Sequence, residues 1–286
     1  MDTRFWGPSG WKLLHLVAAE PAGNKNRAAA ILEWMHLLEY VLPCKYCRAS
    51  FHDYWKLQPL SREIVANPAA FSRWMYDIHN RVNGKLRGQG LVTTRDPAWP
   101  TVQRHYTKLH AGLCKGTPLL GWDFMTSVAF STPAADYTPV PMPDAPESAI
   151  DRSTLDEATQ NRYNLLSRKA RLRYLKRWWA LIPSILPCSA WRAAWAAAMK
   201  SAGAGQPPLE RGREAVMRWM WRIEEGVCAG LQCPTPHSSR AAMEREVAAF
   251  ESGCSTAKKG TTCRTLRKSQ RRKVHARRTR KGVHVL

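Results

Sequence analysis

The chain lacks several patterns that define common classes of protein. Its most apolar stretch, WWALIPSILPCSAW, contains two prolines and is shorter than the roughly 18 residues that a membrane-spanning helix needs. The N-terminus does not combine a basic start, an apolar segment and a small-residue cleavage site, so we predict no signal peptide. The first half shows no convincing alternation of apolar and polar residues, which would indicate β-strands. These absences predict a soluble helical protein without a membrane span.

A second Cys-x-x-Cys motif is also missing. The chain has eight cysteines, but only Cys44 and Cys47 in LPCKYC have this spacing. Tetrahedral zinc needs four ligands, and His52 and His79 do not fall at the spacing of a zinc finger, so we predict no metal site. The motif alone leaves a zinc half-site, an ordinary disulfide and a redox-active dithiol open. A thioredoxin-like fold is disfavoured because no strand–helix–strand pattern surrounds the motif.

Acidic residues are absent from the C-terminal stretch 255–286. This stretch contains twelve Lys or Arg residues and supplies over half of the chain's net charge of +22. A run of like charges repels itself and buries little apolar surface, so we predict a disordered tail. Such a tail binds nucleic acid or an anionic surface through counterion release, or it serves only solubility or localisation. Charge alone does not decide between these roles.

Apolar residues recur at helical spacing through most of the chain. In the first half, this pattern predicts helices that begin near Ser9, span 25–42, follow the Cys-x-x-Cys and span about 68–86, which together suggest a small bundle. Further helices are predicted over 152–181, 189–201, 208–227 and 238–252. Their tryptophans at helical spacing are more typical of a core or a dimer interface than of a cofactor site.

Composition predicts how the chain divides into domains. Residues 115–150 are rich in Pro, Ala, Thr and Asp, and the segment TPVPMPDAPES within them is typical of an extended linker. The resulting division is a first helical domain over 1–114, a linker over 115–150, a helical C-terminal domain over 151–254 and a basic tail over 255–286.

Three segments of the first half carry polar or aromatic residues in a specific order. WGPSGWKLLHLVA places Trp11 and His15 four residues apart, and therefore on one face of a helix. LPCKYC supplies the dithiol. WMYDIHNRVNGKL carries Asn residues inside a predicted helix, where Asn is unfavourable unless it binds something. Its polar face consists of Tyr76, His79, Asn80 and Asn83. A solvated face or a buried structural histidine would explain any one segment, but the combination indicates a functional site.

This combination resembles the Erv/ALR family of FAD-dependent sulfhydryl oxidases. The shared pattern is Trp-x-x-x-His, then a Cys-x-x-Cys preceded by Pro43, then His-Asn-x-Val-Asn at residues 79–83. The resemblance covers about residues 5–110, while the later helices and the tail resemble extensions in members from large DNA viruses. It implies an all-α fold, a four-helix bundle with a short fifth helix, bound FAD and a homodimer. It also implies localisation to the host cytoplasm or viral factory, and to the virion.

The resemblance further implies roles for individual residues. Cys44 would exchange with incoming protein dithiols and Cys47 would lie beside the flavin, so that electrons pass from thiols to FAD and then to molecular oxygen, giving hydrogen peroxide. The implied FAD-binding residues are Gly7, Trp11, His15, Tyr76, His79, Asn80, Asn83, Lys85 and Leu86. The last contact to FAD is left open among Trp99, Arg104 and Tyr106. The chain departs from the family pattern at Leu42, where Tyr is common, and has no cysteines near Tyr76 and Thr93, where the family has a structural disulfide.

A second cysteine pair is expected to relay electrons from protein substrates to Cys44. The first candidate is Cys254 and Cys263, which flank a Lys/Gly-rich stretch beside the tail, and Cys228 and Cys233 are the alternative. Two other functions stay open at this stage. One is a zinc- or nucleic-acid-binding protein, and the other is a structural virion protein that keeps the bundle without turnover.

Overall fold

The structure is a computed structural model, and it describes residues 1–113, 116–147, 154–201 and 205–251. In these ranges its regular structure is helical and contains no strand, which confirms the predicted all-α class. The helices of the first part are α1 Thr3–Ala19, α2 Lys25–His36, α3 Leu38–Val41, α4 Lys45–Leu57, α5 Arg62–Ala66, α6 Pro68–Gly88 and α7 Trp99–Ala111. The later ones are α8 Trp122–Phe130, α9 Glu157–Arg162, α10 Arg168–Ile185, α11 Ser189–Ser201, α12 Arg213–Gly230 and α13 Arg240–Ala248.

Helix α1 begins earlier than the sequence predicts. The side chain of Asp2 accepts a hydrogen bond from the backbone N–H of Arg4 (3.0 Å) and caps the helix, so the predicted start near Ser9 is wrong. Pro8 lies inside the helix, where proline is unfavourable. Burial of Phe5 and Trp6 in the first turns offsets this cost, because both side chains are part of the core.

The helices around the two motifs mostly follow their local signals. Helix α6 starts at Pro68, and the side chain of Asn67 accepts hydrogen bonds from the first backbone N–H groups, as expected of a capped helix with proline in its first turn. The segment predicted as one helix over 25–42 is divided at Leu37 into α2 and α3. Helix α6 packs against α1, and α7 packs against both.

The predicted linker over 115–150 is not extended throughout, because it contains helix α8. The segment WDFMTSVAF is buried at every position except Asp123, and α8 packs against α1 and α12. The prediction relied on the Pro-rich composition of the wider window, which hid this short apolar segment. Burial of that segment against two longer helices explains why it is ordered.

Most tryptophans of the C-terminal helices lie in the core, which is one of the two locations predicted, and Trp221 is half-buried. Trp178 and Trp179 of α10 contact each other edge to face at 4.8 Å, and Trp179 also contacts Trp219. Trp178 stacks on Trp34 of α2 at 5.5 Å, so the apolar core continues between the two halves of the chain. The domain boundaries themselves stay a prediction. Within the described ranges, no helix has both the length and the hydrophobicity that crossing a bilayer requires.

Candidate functional site

The dithiol lies at the N-terminus of helix α4, as the sequence predicts. Cys44 is the N-cap residue, and its carbonyl oxygen accepts hydrogen bonds from the N–H groups of Cys47 and Arg48, each at 3.0 Å. The side chain of Cys44 is buried, and that of Cys47 is half-buried. Partial positive charge at a helix N-terminus favours a thiolate over a thiol.

The pKa values of the two thiols are shifted in opposite directions. A hydrogen bond from the Cys47 thiol lowers the pKa of Cys44 to about 6, and the Cys47 backbone N–H and the positive charge of Arg48 act in the same direction against the effect of burial. The same thiol–thiol hydrogen bond raises the pKa of Cys47, and burial adds to this effect. Cys44 is therefore the more acidic thiol of the reduced pair.

An aromatic cluster forms where helices α1, α6 and α7 meet. Trp11 stacks on His79 with ring centroids 3.9 Å apart, and His15 stacks on Tyr106 at 4.3 Å. Atom Nε2 of His15 lies 3.1 Å from Nδ1 of His79, within hydrogen-bond distance. We call Trp11, His15, His79 and Tyr106 the aromatic cluster. Two of the three motifs found in the sequence thus meet in space.

Both histidines of the aromatic cluster are held uncharged. Burial lowers the pKa of His79 to about 4, although Asp96 opposes the shift. Burial, and then the neighbouring His79 and His105, place the pKa of His15 well below its usual value. At neutral pH, one imidazole therefore donates to the other, and the cluster presents only neutral rings. A cavity of about 210 Å³ adjoins it, lined by His15, Ser72, Trp99, Val102 and Tyr106 among others.

The remaining predicted residues lie along α6 in different environments. The Tyr76 hydroxyl donates to the carbonyl oxygen of Pro97 (3.0 Å), and the ring of Tyr76 contacts Trp99. The side-chain amide of Asn83 donates to Asp96 (2.8 Å). Asn80 and Leu86 are half-buried on the same helix.

Two further predicted residues lie at opposite ends of the motif region. Lys85 is exposed, hydrogen-bonds the Ser50 hydroxyl and interacts electrostatically with Cys47, so α6 runs beside the dithiol helix. Gly7 lies in α1, where an added Cβ would meet no atom within 4 Å. Of the three residues left open for the last contact, Tyr106 is in the aromatic cluster, Trp99 lines the cavity and Arg104 is exposed.

Asp96 and Arg48 were missed from the sequence. Asp96 orients Asn83 and pairs with Arg87, and no motif signal precedes it. Arg48 is buried behind the dithiol. Its position, four residues after Cys44, places both on one helical face, which is a signal that sequence reasoning could have used.

The structure describes three cysteines besides the dithiol. Cys228 and Cys233 are neighbouring thiols near the end of α12, and burial raises the pKa of Cys228 to about 12. Cys188 is disulfide-bonded. The predicted relay pair, Cys254 and Cys263, lies outside the described residues. Among the residues that are described, no group of three or more His, Cys, Asp or Glu could hold a metal ion.

Comparison with known proteins agrees with this arrangement of motifs. A sequence model of the Erv1/Alr family matches residues 8–101. A FAD-linked sulfhydryl oxidase of African swine fever virus (isolate Pig/Kenya/KEN-50/1950) is 32% identical over 83 residues, which cover 28% of this chain and 67% of that relative. The chain belongs to the Erv1/Alr family, which confirms the resemblance stated above.

Other relatives match over the same part of the chain. A probable FAD-linked sulfhydryl oxidase of Acanthamoeba polyphaga mimivirus is 32% identical over 29% of this chain and 59% of its own length. The mitochondrial FAD-linked sulfhydryl oxidase ERV1 of Saccharomyces cerevisiae is 34% identical over 30% of this chain and 45% of its own length. The chain thus spans about half the length of these two relatives. No solved structure matches the chain.

Proposed function

We propose that this chain is a FAD-dependent thiol oxidase that forms disulfides in protein substrates through Cys44 and Cys47. The observation that carries the proposal is the position of the dithiol at the N-terminus of α4, beside the helix that carries His79. Lys85 of that helix interacts with Cys47, so the dithiol and the aromatic cluster border the same helix. The names of the viral and yeast relatives support the same activity.

The residues of the site fit the rings of FAD. The aromatic cluster offers neutral, flat surfaces of the kind on which planar ring systems stack. Trp11 and His15 would hold the flavin side, and His79, Asn80 and Asn83 the adenine and ribose side. The remaining contacts would come from Gly7, Tyr76, Lys85 and Leu86. When bound, FAD supplies the capacity to accept two electrons from a dithiol.

The protein's own residues account for the thiol chemistry. A substrate thiolate attacks Sγ of Cys44 in the Cys44–Cys47 disulfide, and Cys47 leaves as a thiolate. The second substrate thiolate then attacks the substrate sulfur of the mixed disulfide, and Cys44 leaves. The low pKa of Cys44 makes it a good leaving group in this second displacement. Over a full cycle, two thiols and one molecule of oxygen give one disulfide and one molecule of hydrogen peroxide.

The test is a visible spectrum of the purified protein together with an oxygen electrode. We expect a yellow protein that releases FAD on denaturation and consumes oxygen when dithiothreitol is added. A Cys44→Ser/Cys47→Ser double variant is the matched control, and it should stay yellow without consuming oxygen. A folded preparation that is colourless and cannot be reconstituted with FAD would contradict the proposal. The homodimer implied by the resemblance stays a prediction, which size-exclusion chromatography with light scattering would check.

A further inference from the structure

Arg48 is a buried arginine in the first turn of α4, at the same end of the helix as the dithiol. Its side chain is 5% exposed. The guanidinium folds back along the helix, and Nη1 donates to the carbonyl oxygen of Leu42 at 2.8 Å. Since Leu42 precedes Cys44 by two residues, this bond brings the positive charge to the N-terminal end of the helix, where Cys44 is the cap.

A residue from the C-terminal half holds this guanidinium in place. Nη2 of Arg48 donates to Oδ1 of Asn164 at 2.6 Å, and Nδ2 of Asn164 donates to the carbonyl oxygen of Val140 at 2.7 Å. Asn164 has a positive φ of 57°, a conformation that asparagine tolerates better than most residues. Both ends of its amide are thus engaged, and its oxygen faces Arg48.

The charge of Arg48 has no carboxylate partner within the part of the chain that the structure describes. A second buried arginine, Arg171 of α10, interacts electrostatically with Arg48 and lies over the ring of Tyr137. Atom Nε of Arg48 is buried without a hydrogen-bond partner. A buried cation is costly unless an anion compensates it, and the anionic group that the dithiol provides is a thiolate.

Other charged or titratable groups also surround the dithiol, and the α-amino group of Met1 lowers the pKa of Cys44 in the same direction as Arg48. They are Lys45 and Cys47 on α4, Lys85 on α6, Arg171 on α10, Tyr137 and the α-amino group of Met1. Lys45 is half-exposed and directed to the carbonyl oxygens of Val140 and Pro141, and Lys85 is exposed. Among the cations of α4, Arg48 alone is buried with both terminal nitrogens hydrogen-bonded beside the cap.

We propose that Arg48 is the positioning residue that stabilises the Cys44 thiolate, and that Asn164 of the C-terminal half holds Arg48 in place to do so. The role of Arg48 in catalysis rests on the proposed thiol-oxidase function. In the exchange described above, the negative charge appears on Cys44 when the substrate disulfide leaves. Arg48 stabilises that charge, and the C-terminal half thereby contributes to the reactivity of a dithiol more than 100 residues away in sequence.

The experiment is a pH titration of ultraviolet thiolate absorbance on the reduced full-length Cys47→Ser variant. The titration of the Cys44→Ser/Cys47→Ser variant is subtracted from it, so that the difference reports Cys44 alone. We expect Arg48→Met to raise the pKa of Cys44, since a neighbouring positive charge favours the thiolate over the thiol. Arg48→Lys should recover part of the shift, and Asn164→Ala should give an intermediate one. Arg27→Met, which removes a half-buried arginine paired with Glu20, is the matched control and should leave the titration unchanged.

The outcomes separate this inference from the proposed function. If folded Arg48→Met titrates like the parent, Arg48 does not stabilise the thiolate. If Arg48→Met does not fold, a Cys44 pKa equal to that of the parent protein in both Arg48→Lys and Asn164→Ala would also overturn the inference. An absence of oxidase activity in the parent protein would refute the proposed function, while the titration would still decide the role of Arg48.

Discussion

Cys44 and Cys47 have different environments although only two residues separate them. Cys44 caps α4 and carries the lower pKa, while Cys47 is half-buried on the side where Lys85 of α6 lies. The difference follows mainly from the hydrogen bond between the two thiols, which lowers the pKa of Cys44 and raises that of Cys47. The two sulfur atoms are therefore suited to different steps of one exchange reaction.

Replacing each cysteine in turn tests this division of roles. We expect Cys44→Ser and Cys47→Ser each to lower oxidase activity by about a thousandfold or more while FAD stays bound, because either change removes the disulfide. Only the thiolate beside the flavin can donate charge to the ring, so a long-wavelength absorption band should appear in Cys44→Ser alone. The same band in Cys47→Ser would reverse the assignment.

His79 predicts a dependence of stability on pH. The pKa of its imidazole is about 4 in the folded protein and 6.5 in an unperturbed chain, so between these values the unfolded chain binds a proton that the folded one does not. The free energy of unfolding should therefore fall as pH decreases from 6.5 to about 4. Urea unfolding would measure the free energy of unfolding at pH 7 and at pH 5. Its decrease between these two pH values should be about 1–2 kcal/mol smaller in His79→Phe than in the parent protein. His110→Gln, outside the aromatic cluster, should behave like the parent.

Helix α8 begins at a close contact between its backbone and α1. Its N-cap residue, Gly121, has a φ of 110°, and a Cβ at this position would lie 2.9 Å from Cδ2 of Leu13. Leu13 is fully buried and lies between the Trp11 and His15 positions on the same helix. Packing of α8 thus supports the helix that carries two members of the aromatic cluster.

The Gly121→Ala substitution should test this contact at the level of the helix. Both the positive φ and the contact with Leu13 oppose a side chain, so we expect the free energy of unfolding to fall by about 2 kcal/mol. Thermal unfolding followed by circular dichroism would measure it. Gly88→Ala is the control, since no atom lies within 4 Å of a Cβ there. Equal melting temperatures for the two variants would contradict the prediction.

The two halves of the whole molecule are joined around the dithiol. Tyr174 of α10 stacks on Tyr40 of α3 at 3.8 Å, and the Asn161 amide donates to the carbonyl oxygen of Glu39 at 2.5 Å. Together with the bond from Arg48 to Asn164, these contacts place the C-terminal half against the helices that precede and carry the Cys-x-x-Cys. We therefore expect the C-terminal half to influence the reactivity of the dithiol.

Deletion of residues 255–286 should separate binding from catalysis. The stretch holds twelve basic and no acidic residues, so its loss should weaken binding to DNA or anionic vesicles, most clearly at low salt. Oxidation of dithiothreitol should be unchanged, because the match to the Erv1/Alr family ends at residue 101. Filter binding would measure the affinity for DNA, vesicle sedimentation the affinity for anionic lipid, and oxygen consumption the oxidation of dithiothreitol. Loss of FAD from the truncated protein would instead show that the tail supports the fold.

The relay prediction also belongs to the scale of the whole molecule. A Cys254→Ser/Cys263→Ser variant should oxidise dithiothreitol like the parent and reduced protein substrates more slowly, because bulky thiols reach a buried Cys44 poorly. The Cys228→Ser/Cys233→Ser variant is the matched comparison and tests the alternative pair. If a variant oxidises both dithiothreitol and reduced protein at the rates of the parent, the cysteine pair replaced in that variant is not the relay.

The sequence by itself determined the features that depend on neighbours along the chain. Pro43 and the Cys-x-x-Cys predict a helix that begins at the dithiol, and α4 begins at Lys45 with Cys44 as its cap. The spacing of apolar residues predicts a helix over about 68–86, and α6 spans Pro68–Gly88 and carries both His79 and Lys85. These succeed because capping and helical spacing act within a few residues.

The tertiary structure alone decided which of these features meet. The hydrogen bond between His15 and His79 joins residues 64 apart, and the one between Arg48 and Asn164 joins residues 116 apart. Helix α8, inside a segment whose composition predicts a linker, is ordered by burial against α1 and α12. Such contacts depend on how helix faces fit together in three dimensions, and spacing along the chain carries no record of that fit.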